Sequence, residues 1–194
     1  FVNCVIVAIG FCVFLGGKTV TCLTDVTCLG GVPCAAYPCL SSCNQDSRLR
    51  NCRVRDDYFC TPGIGVHKLH TVPRVWSSAR QACIEEGGHL AIVNSIAEAH
   101  VLMDIYNRTG LVQGTTYPNR AYLGIHDLYK EGDWVTVLDE SLEKAGFTGW
   151  ALNQPDNAGG GQHCGTFMPD GSMDDLGCDI RSGFFCELSP KHLF

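Results

Sequence analysis

Cysteine most constrains what this chain can fold into, because thirteen of its 194 residues are cysteine. Such usage is typical of chains that fold in an oxidising compartment, where disulfide bonds persist. The stretch from Phe1 to Gly17 has no charge, and its apolar run is too short to span a bilayer as a helix. We interpret residues 1–21 as an N-terminally incomplete signal peptide, with a retained hydrophobic element as the alternative. The protein is therefore predicted to be secreted, with no membrane span.

Residues 22–57 form a Cys-rich segment followed by a basic linker, and any order there must come from disulfide bonds. Seven cysteines fall between the apolar start and the last four cysteines of the chain: Cys22, Cys28, Cys34, Cys39, Cys43, Cys52 and Cys60. An odd number predicts a free thiol or an intermolecular bridge. A disulfide-linked homo-oligomer is therefore one expected outcome.

A packed α+β domain is predicted over residues 58–188, followed by a tail over residues 189–194. The alternation from Gly63 to His70 predicts a strand. Thr71 as cap and Pro73 near the first turn predict that a helix follows, ending at Gly87 and Gly88.

A second helix is predicted after a short apolar strand over residues 89–93, because Ser95 and Glu98 form a capping box. Asn107 begins a glycosylation sequon, which has meaning only in a secreted chain. Further strands are predicted over residues 121–125, 134–137 and 183–188. Two helices, short strands and a long loop region favour the α+β class.

Charge excludes one class of partner and indicates another. The net charge is −6 and there is no basic patch, so nucleic acid is not expected. The segment from Gln154 to Cys178 holds four acids and no Lys or Arg. Clustered carboxylates repel one another unless solvent or a cation neutralises them. Together with amide oxygens from Gln and Asn, they are hard ligands that suit calcium better than zinc.

This segment and its flanks resemble the C-type lectin domain family, and in particular the insect (lepidopteran) immulectins. The resemblance covers about two thirds of the chain. It rests on residues 87–91, 122–125 and 150–157, and on Cys83, Cys164, Cys178 and Cys186. It implies a fold with two helices packed on short antiparallel sheets, a long calcium-binding loop region, and the bridges Cys83–Cys186 and Cys164–Cys178. Cys52 and Cys60 could close the hairpin that opens longer forms of the domain.

The resemblance also implies a set of calcium ligands that bind the sugar as well: Gln154, Asp156, Gln162, Asp174 and Asp175. In the family the intervening proline, here Pro155, is usually cis, and two sugar hydroxyls complete the calcium shell. The tripeptide Gln-Pro-Asp implies galactose-type specificity, although no aromatic residue follows it closely in this chain.

Three positions depart from the family pattern. Gln162 stands where an acid is usual, Asp174 where Asn is usual, and Met173 where Trp is usual. The first two changes offset each other in charge, so calcium binding is still expected. They move a hydrogen-bond donor from position 174 to position 162, because an amide can donate whereas a carboxylate only accepts. We expect Met173 to replace a core aromatic residue.

A second family calcium site would correspond to Asp127, Glu131, Asn157 and His163, where histidine is a poor calcium ligand. The expected function is secreted, calcium-dependent recognition of microbial or galactose-type glycans in innate immunity. The alternative is a lectin-like fold that has lost sugar binding and recognises a protein or a lipid. Catalysis is not expected, because the HExxH, G-x-S-x-G and phosphate-loop motifs are all missing from the sequence.

Overall fold

The computed structural model describes residues 57–61 and 63–188. The strands are β1 (Phe59–Thr61), β2 (Gly65–Arg74), β3 (Gly88–Leu90), β4 (Ala121–His126), β5 (Val135–Thr136), β6 (Cys164–Phe167), β7 (Met173–Leu176) and β8 (Ser182–Leu188). The helices are α1 (Trp76–Glu85), α2 (Ile96–Thr109) and the single turn α3 (Leu142–Ala145). Helices and strands thus share one fold, as the predicted α+β class requires.

The strands form one sheet in the order β1-β2-β8-β4-β6-β7, with β3 paired to β8 and β5 paired to β4. The β8 strand runs antiparallel to β2 and parallel to β4. The predicted signal peptide, the Cys-rich segment with its linker up to residue 56, and the tail lie outside the described residues. Within the described part, none of the helices has the length and apolarity needed to cross a membrane.

Helix α1 begins later than the sequence predicted. Thr71 and Pro73 lie in β2, and the helix starts at Trp76 after Val75, which provides no side-chain cap. Pro73 is tolerated because the β2–β8 register shifts between His70 and Arg74, where a missing N–H breaks no regular pair. The backbone N–H of Trp76 donates instead to the Cys178 carbonyl at 2.9 Å.

The predicted capping of α2 is confirmed. Ser95 Oγ accepts from the backbone N–H of Glu98 at 3.2 Å, and Glu98 Oε2 accepts from Asn94 N–H at 2.8 Å. The other oxygen of Glu98 lies 2.8 Å from Nε2 of His67, and both side chains are fully buried. A side chain that caps a helix therefore also satisfies a histidine of β2.

The core packs α2 against the inner face of the sheet, with Leu102, Ile105, Phe167 and Phe185 among its buried members. Met173 is 1% exposed within this cluster, which confirms that it occupies a core position.

Two disulfide bonds join distant parts of the domain, and both match the predicted pairs. Cys83 in α1 is bonded to Cys186 in β8, and Cys164 in β6 is bonded to Cys178 after β7. Cys60 is also disulfide-bonded, whereas Cys52 lies outside the described residues. The second bond closes the β6–β7 hairpin, which carries part of the candidate site.

Candidate functional site

A loop of irregular backbone connects the short helix α3 to β6 and carries the Gln-Pro-Asp tripeptide. The Gln154–Pro155 peptide bond is cis, as the resemblance predicted. Asn153 and Asn157, which flank the tripeptide, have positive φ angles of 65° and 43°. Asparagine is one of the few non-glycine residues that tolerates this region, so the sequence suits the turn on both sides.

The Asp175 side chain of β7 binds the backbone of this loop. Its Oδ2 accepts from Asn157 N–H at 2.7 Å, and its Oδ1 accepts from Asp156 N–H at 3.2 Å. The Asp175 side chain is almost fully buried. A carboxylate from the sheet therefore fixes the backbone that displays the Asp156 side chain.

Side-chain oxygens of Asp156 and Gln162 accept hydrogen bonds from the same backbone N–H. The N–H of Ala158 lies 3.0 Å from Asp156 Oδ1 and 2.7 Å from Gln162 Oε1. The N–H of Gln162 donates to Asn157 Oδ1 at 2.9 Å, which closes the loop upon itself. Two of the predicted ligand oxygens are thus gathered at the tip of the loop.

The side-chain oxygen Oε1 of Gln154 is a buried acceptor for which no donor is found among the described residues. An unsatisfied buried carbonyl oxygen costs about 1–3 kcal/mol, so such atoms usually face a ligand, a water or an ion. A hard cation would satisfy it, and the neighbouring Asp156, Gln162 and Asp175 are all oxygen donors. The donor set therefore fits calcium.

Asp174 does not join this cluster. Adjacent residues of a strand point to opposite faces, and Asp174 turns away from the side on which Asp175 supports the loop. Its Oδ2 accepts from Nε of Arg120 at 2.6 Å and also from Nη2 of the same guanidinium. Burial raises the pKa of the Asp174 carboxyl, while Arg120 acts in the opposite direction.

Sequence reasoning missed Arg120. It lies 54 positions before Asp174 in the chain, and its own neighbourhood has no motif that signals the contact. Only the sheet order, which places the start of β4 one strand away from β7, could have revealed it.

The residues of the predicted second site also come together, at the far end of β4. Nδ1 of His163 lies 3.0 Å from Asp127 Oδ1 and 3.5 Å from Glu131 Oε2. Asn157 turns its amide nitrogen towards Glu131 at 2.5 Å. The loop is therefore linked to a second polar cluster beside it.

Aromatic residues lie close to the loop but not at its tip. Trp134 and Trp150 pack with ring centroids 4.7 Å apart and line a cleft of about 510 Å³, together with Pro155. Leu152 and Tyr129 are exposed by 89% and 80% respectively. The sequence did not single out these two exposed side chains.

Comparison with known proteins agrees with this geometry. A family model described as the Lectin C-type domain matches residues 72–188. The hemolymph lipopolysaccharide-binding protein of Periplaneta americana is 39% identical over 132 residues, which are 68% of this chain and 52% of that protein. Human C-type lectin domain family 4 member K is 31% identical over 119 residues, or 60% of this chain and 33% of that protein. The chain thus spans about half of the first relative and a third of the second.

Solved structures show the same fold at lower identity. The C-type lectin CEL-I from Cucumaria echinata superposes with a TM-score of 0.60 at 20% identity, covering 71% of this chain and 98% of that one. The mouse scavenger receptor C-type lectin carbohydrate-recognition domain superposes with a TM-score of 0.59 at 20% identity, covering 68% of this chain and 95% of that one.

Proposed function

Because this chain belongs to the C-type lectin domain family, we propose that it is a secreted, calcium-dependent lectin for microbial glycans. The relatives it matches are binding proteins, so we propose recognition rather than catalysis as the activity. The insect relative is named for hemolymph and for lipopolysaccharide, which supports an extracellular role in innate immunity.

One observation carries the proposal: the buried Oε1 of Gln154 has no hydrogen-bond partner among the described residues, and it belongs to the tripeptide whose backbone Asp175 holds in place. We propose that calcium is held by Gln154, Asp156, Gln162 and Asp175. We leave Asp174 out of this set because Arg120 holds its carboxylate. The ion would supply a positive centre to which paired sugar hydroxyls bind.

Each side chain then has a distinct part in binding. Asp156 accepts hydrogen bonds from sugar hydroxyls, whereas the amides of Gln154 and Gln162 can also donate them. Asp175 keeps the loop in position through two backbone N–H groups. The Gln-Pro-Asp tripeptide favours galactose-type hydroxyl geometry, which remains a proposal by resemblance to the family.

A glycan array tests this proposal with the oxidised full chain, probed in calcium and again in excess chelator. We expect binding that disappears with chelator and includes bacterial polysaccharides. Asp179→Asn is a matched control, since Asp179 is an exposed acid of the same region and lies outside the ligand set. Its array should match the unmodified chain.

The alternative is a lectin-like fold that recognises a protein or a lipid. The Arg120–Asp174 ion pair favours it, because this pair withdraws one carboxylate from the expected ligand set. Absence of glycan binding both with and without calcium, from a correctly oxidised sample, would support this alternative.

A further inference from the structure

The cluster beside the loop joins side chains from three segments. Asp127 follows β4, Glu131 lies in the next turn, and His163 directly precedes β6. One ligand atom of each lies within 4.8 Å of the other two. We propose that this cluster binds a divalent transition-metal ion, with zinc as the best match, and not the second calcium ion that the family pattern implies. The proposal does not depend on glycan binding.

Asp127 is fixed before any ion arrives. Its carboxylate Oδ2 accepts from Gly132 N–H at 2.7 Å, and its own N–H donates to the His163 carbonyl at 3.1 Å. Its side chain is 1% exposed. The backbone bond keeps the histidine and the aspartate together, so two of the three ligands share one rigid attachment.

Nδ1 of His163 faces both carboxylates, at 3.0 Å from Asp127 and 3.5 Å from Glu131. The imidazole side chain is 32% exposed and that of Glu131 56%, so solvent and ions can reach the cluster. One imidazole nitrogen and two carboxylates make a three-ligand set that leaves a position for water. Zinc accepts such sets in tetrahedral geometry, and imidazole suits zinc, copper and nickel.

Calcium fits this cluster poorly because too few oxygens are available. Calcium requires six to eight oxygen ligands. The fourth family position, Asn157, uses its Oδ1 to accept from Gln162 N–H and directs its amide nitrogen at Glu131. A cation there would meet an N–H donor instead of a carbonyl oxygen. The cluster thus offers two carboxylates and a nitrogen.

The competing explanation needs no metal, since a protonated His163 could bridge Asp127 and Glu131 as an ion-pair network. The two explanations predict different results when His163 is replaced by aspartate. A metal-free network would lose its only cation in His163→Asp and would be destabilised by repulsion. A metal site would keep three ligands and change its preference from zinc towards calcium.

Isothermal titration with zinc chloride tests the proposal. The full chain is first stripped of metal and then saturated with calcium before zinc is added. We expect one zinc ion per chain, at least tenfold weaker binding in His163→Asp and Glu131→Gln, and unchanged binding in the exposed-histidine control His100→Gln. Because Glu131 is exposed, the second variant keeps the test valid if the first fails to fold.

Cobalt provides a second measurement that is independent of glycan binding. Cobalt bound to the unmodified chain should give an intense visible absorption band of a four-coordinate site, which disappears in His163→Asp. Zinc binding that is equally tight in His163→Asp, or that saturating calcium abolishes, would overturn the proposal. In either case the glycan array would still report separately on the Gln-Pro-Asp loop.

Discussion

The guanidinium of Arg120 reaches over β6 to hold the carboxylate of Asp174, on the face of β7 opposite to that of Asp175. Two adjacent acids of one strand therefore have different partners. Asp175 supports the loop, whereas Asp174 neutralises a cation at the start of β4. This division of roles separates the two acids experimentally.

Asp174→Asn should leave calcium affinity within about threefold and lower stability. The amide keeps one acceptor for Arg120 but loses the charge pairing, which we expect to cost about 1–3 kcal/mol. Calcium titration and urea unfolding of the same sample measure the two effects. A calcium affinity that falls as much as in Asp175→Ala would place Asp174 among the ligands.

Asp175→Ala should abolish calcium-dependent glycan binding, because it removes a proposed ligand oxygen and the acceptor of two loop N–H groups. The domain should still be soluble and oxidised, since the substitution removes none of the bonded cysteines. Glycan capture on a column, with mass spectrometry of the disulfides, checks both points. Retained calcium-dependent capture would refute the site assignment.

The Cys83–Cys186 and Cys164–Cys178 bonds should contribute differently to stability. Replacing Cys83 and Cys186 by alanine opens a closure of 103 residues and should lower the free energy of unfolding by about 4–5 kcal/mol. Replacing Cys164 and Cys178 opens a loop of 14 residues and should lower the free energy of unfolding by about 3 kcal/mol.

Glycan binding provides the second difference between these variants. Loss of Cys164–Cys178 should weaken it more, because that bond closes the hairpin that carries Asp175. Guanidinium unfolding and glycan capture measure both properties, and equal loss of capture in the two double variants would contradict this reasoning.

Acid should destabilise the domain through two histidines. Burial, with Lys68 as a second cause, lowers the pKa of His70 below 6.5, and burial with Arg80 does the same for His126. The unfolded chain then binds more protons than the folded one, so stability is full above pH 6.5 and is lost as pH falls towards the folded pKa values.

Urea midpoints at pH 7.5 and 5.5 test this pH dependence. His70→Phe should reduce the difference between the two midpoints, since it removes one titrating group and keeps the ring that stacks on Phe184. The exposed His100→Gln should leave the difference unchanged. A midpoint that rises at pH 5.5 would contradict the predicted sign.

Local signals in the sequence predicted those parts of the fold that depend on local chemistry. The Ser95–Glu98 capping box located α2, and the alternation from Gly63 to His70 located the first part of β2, because each signal acts within a few residues. Strands β6 and β7 were not predicted. The two adjacent acids of β7 are poor strand formers, and pairing with β6 overrides that preference.

The site was predicted as a set of residues but not as an arrangement. Asp156, Gln162 and Asp175 meet around the loop that follows Gln154, and their role as calcium ligands stays a prediction. The diversion of Asp174 depends on Arg120, and the orientation of Asn157 depends on Gln162 N–H. Both are relationships across the fold, which one-dimensional spacing does not contain.

The position of β8 has a consequence for how this protein is made. This last described strand lies inside the sheet and pairs with β2, β3 and β4. A chain emerging from a ribosome therefore cannot complete the sheet until Leu188 has left the exit tunnel. Until then β2 and β4 lack a common neighbour, and Cys83 has no native partner. Mispaired cysteines are most readily formed in this interval, so an oxidoreductase that reshuffles disulfides should matter more for its yield than one that only oxidises.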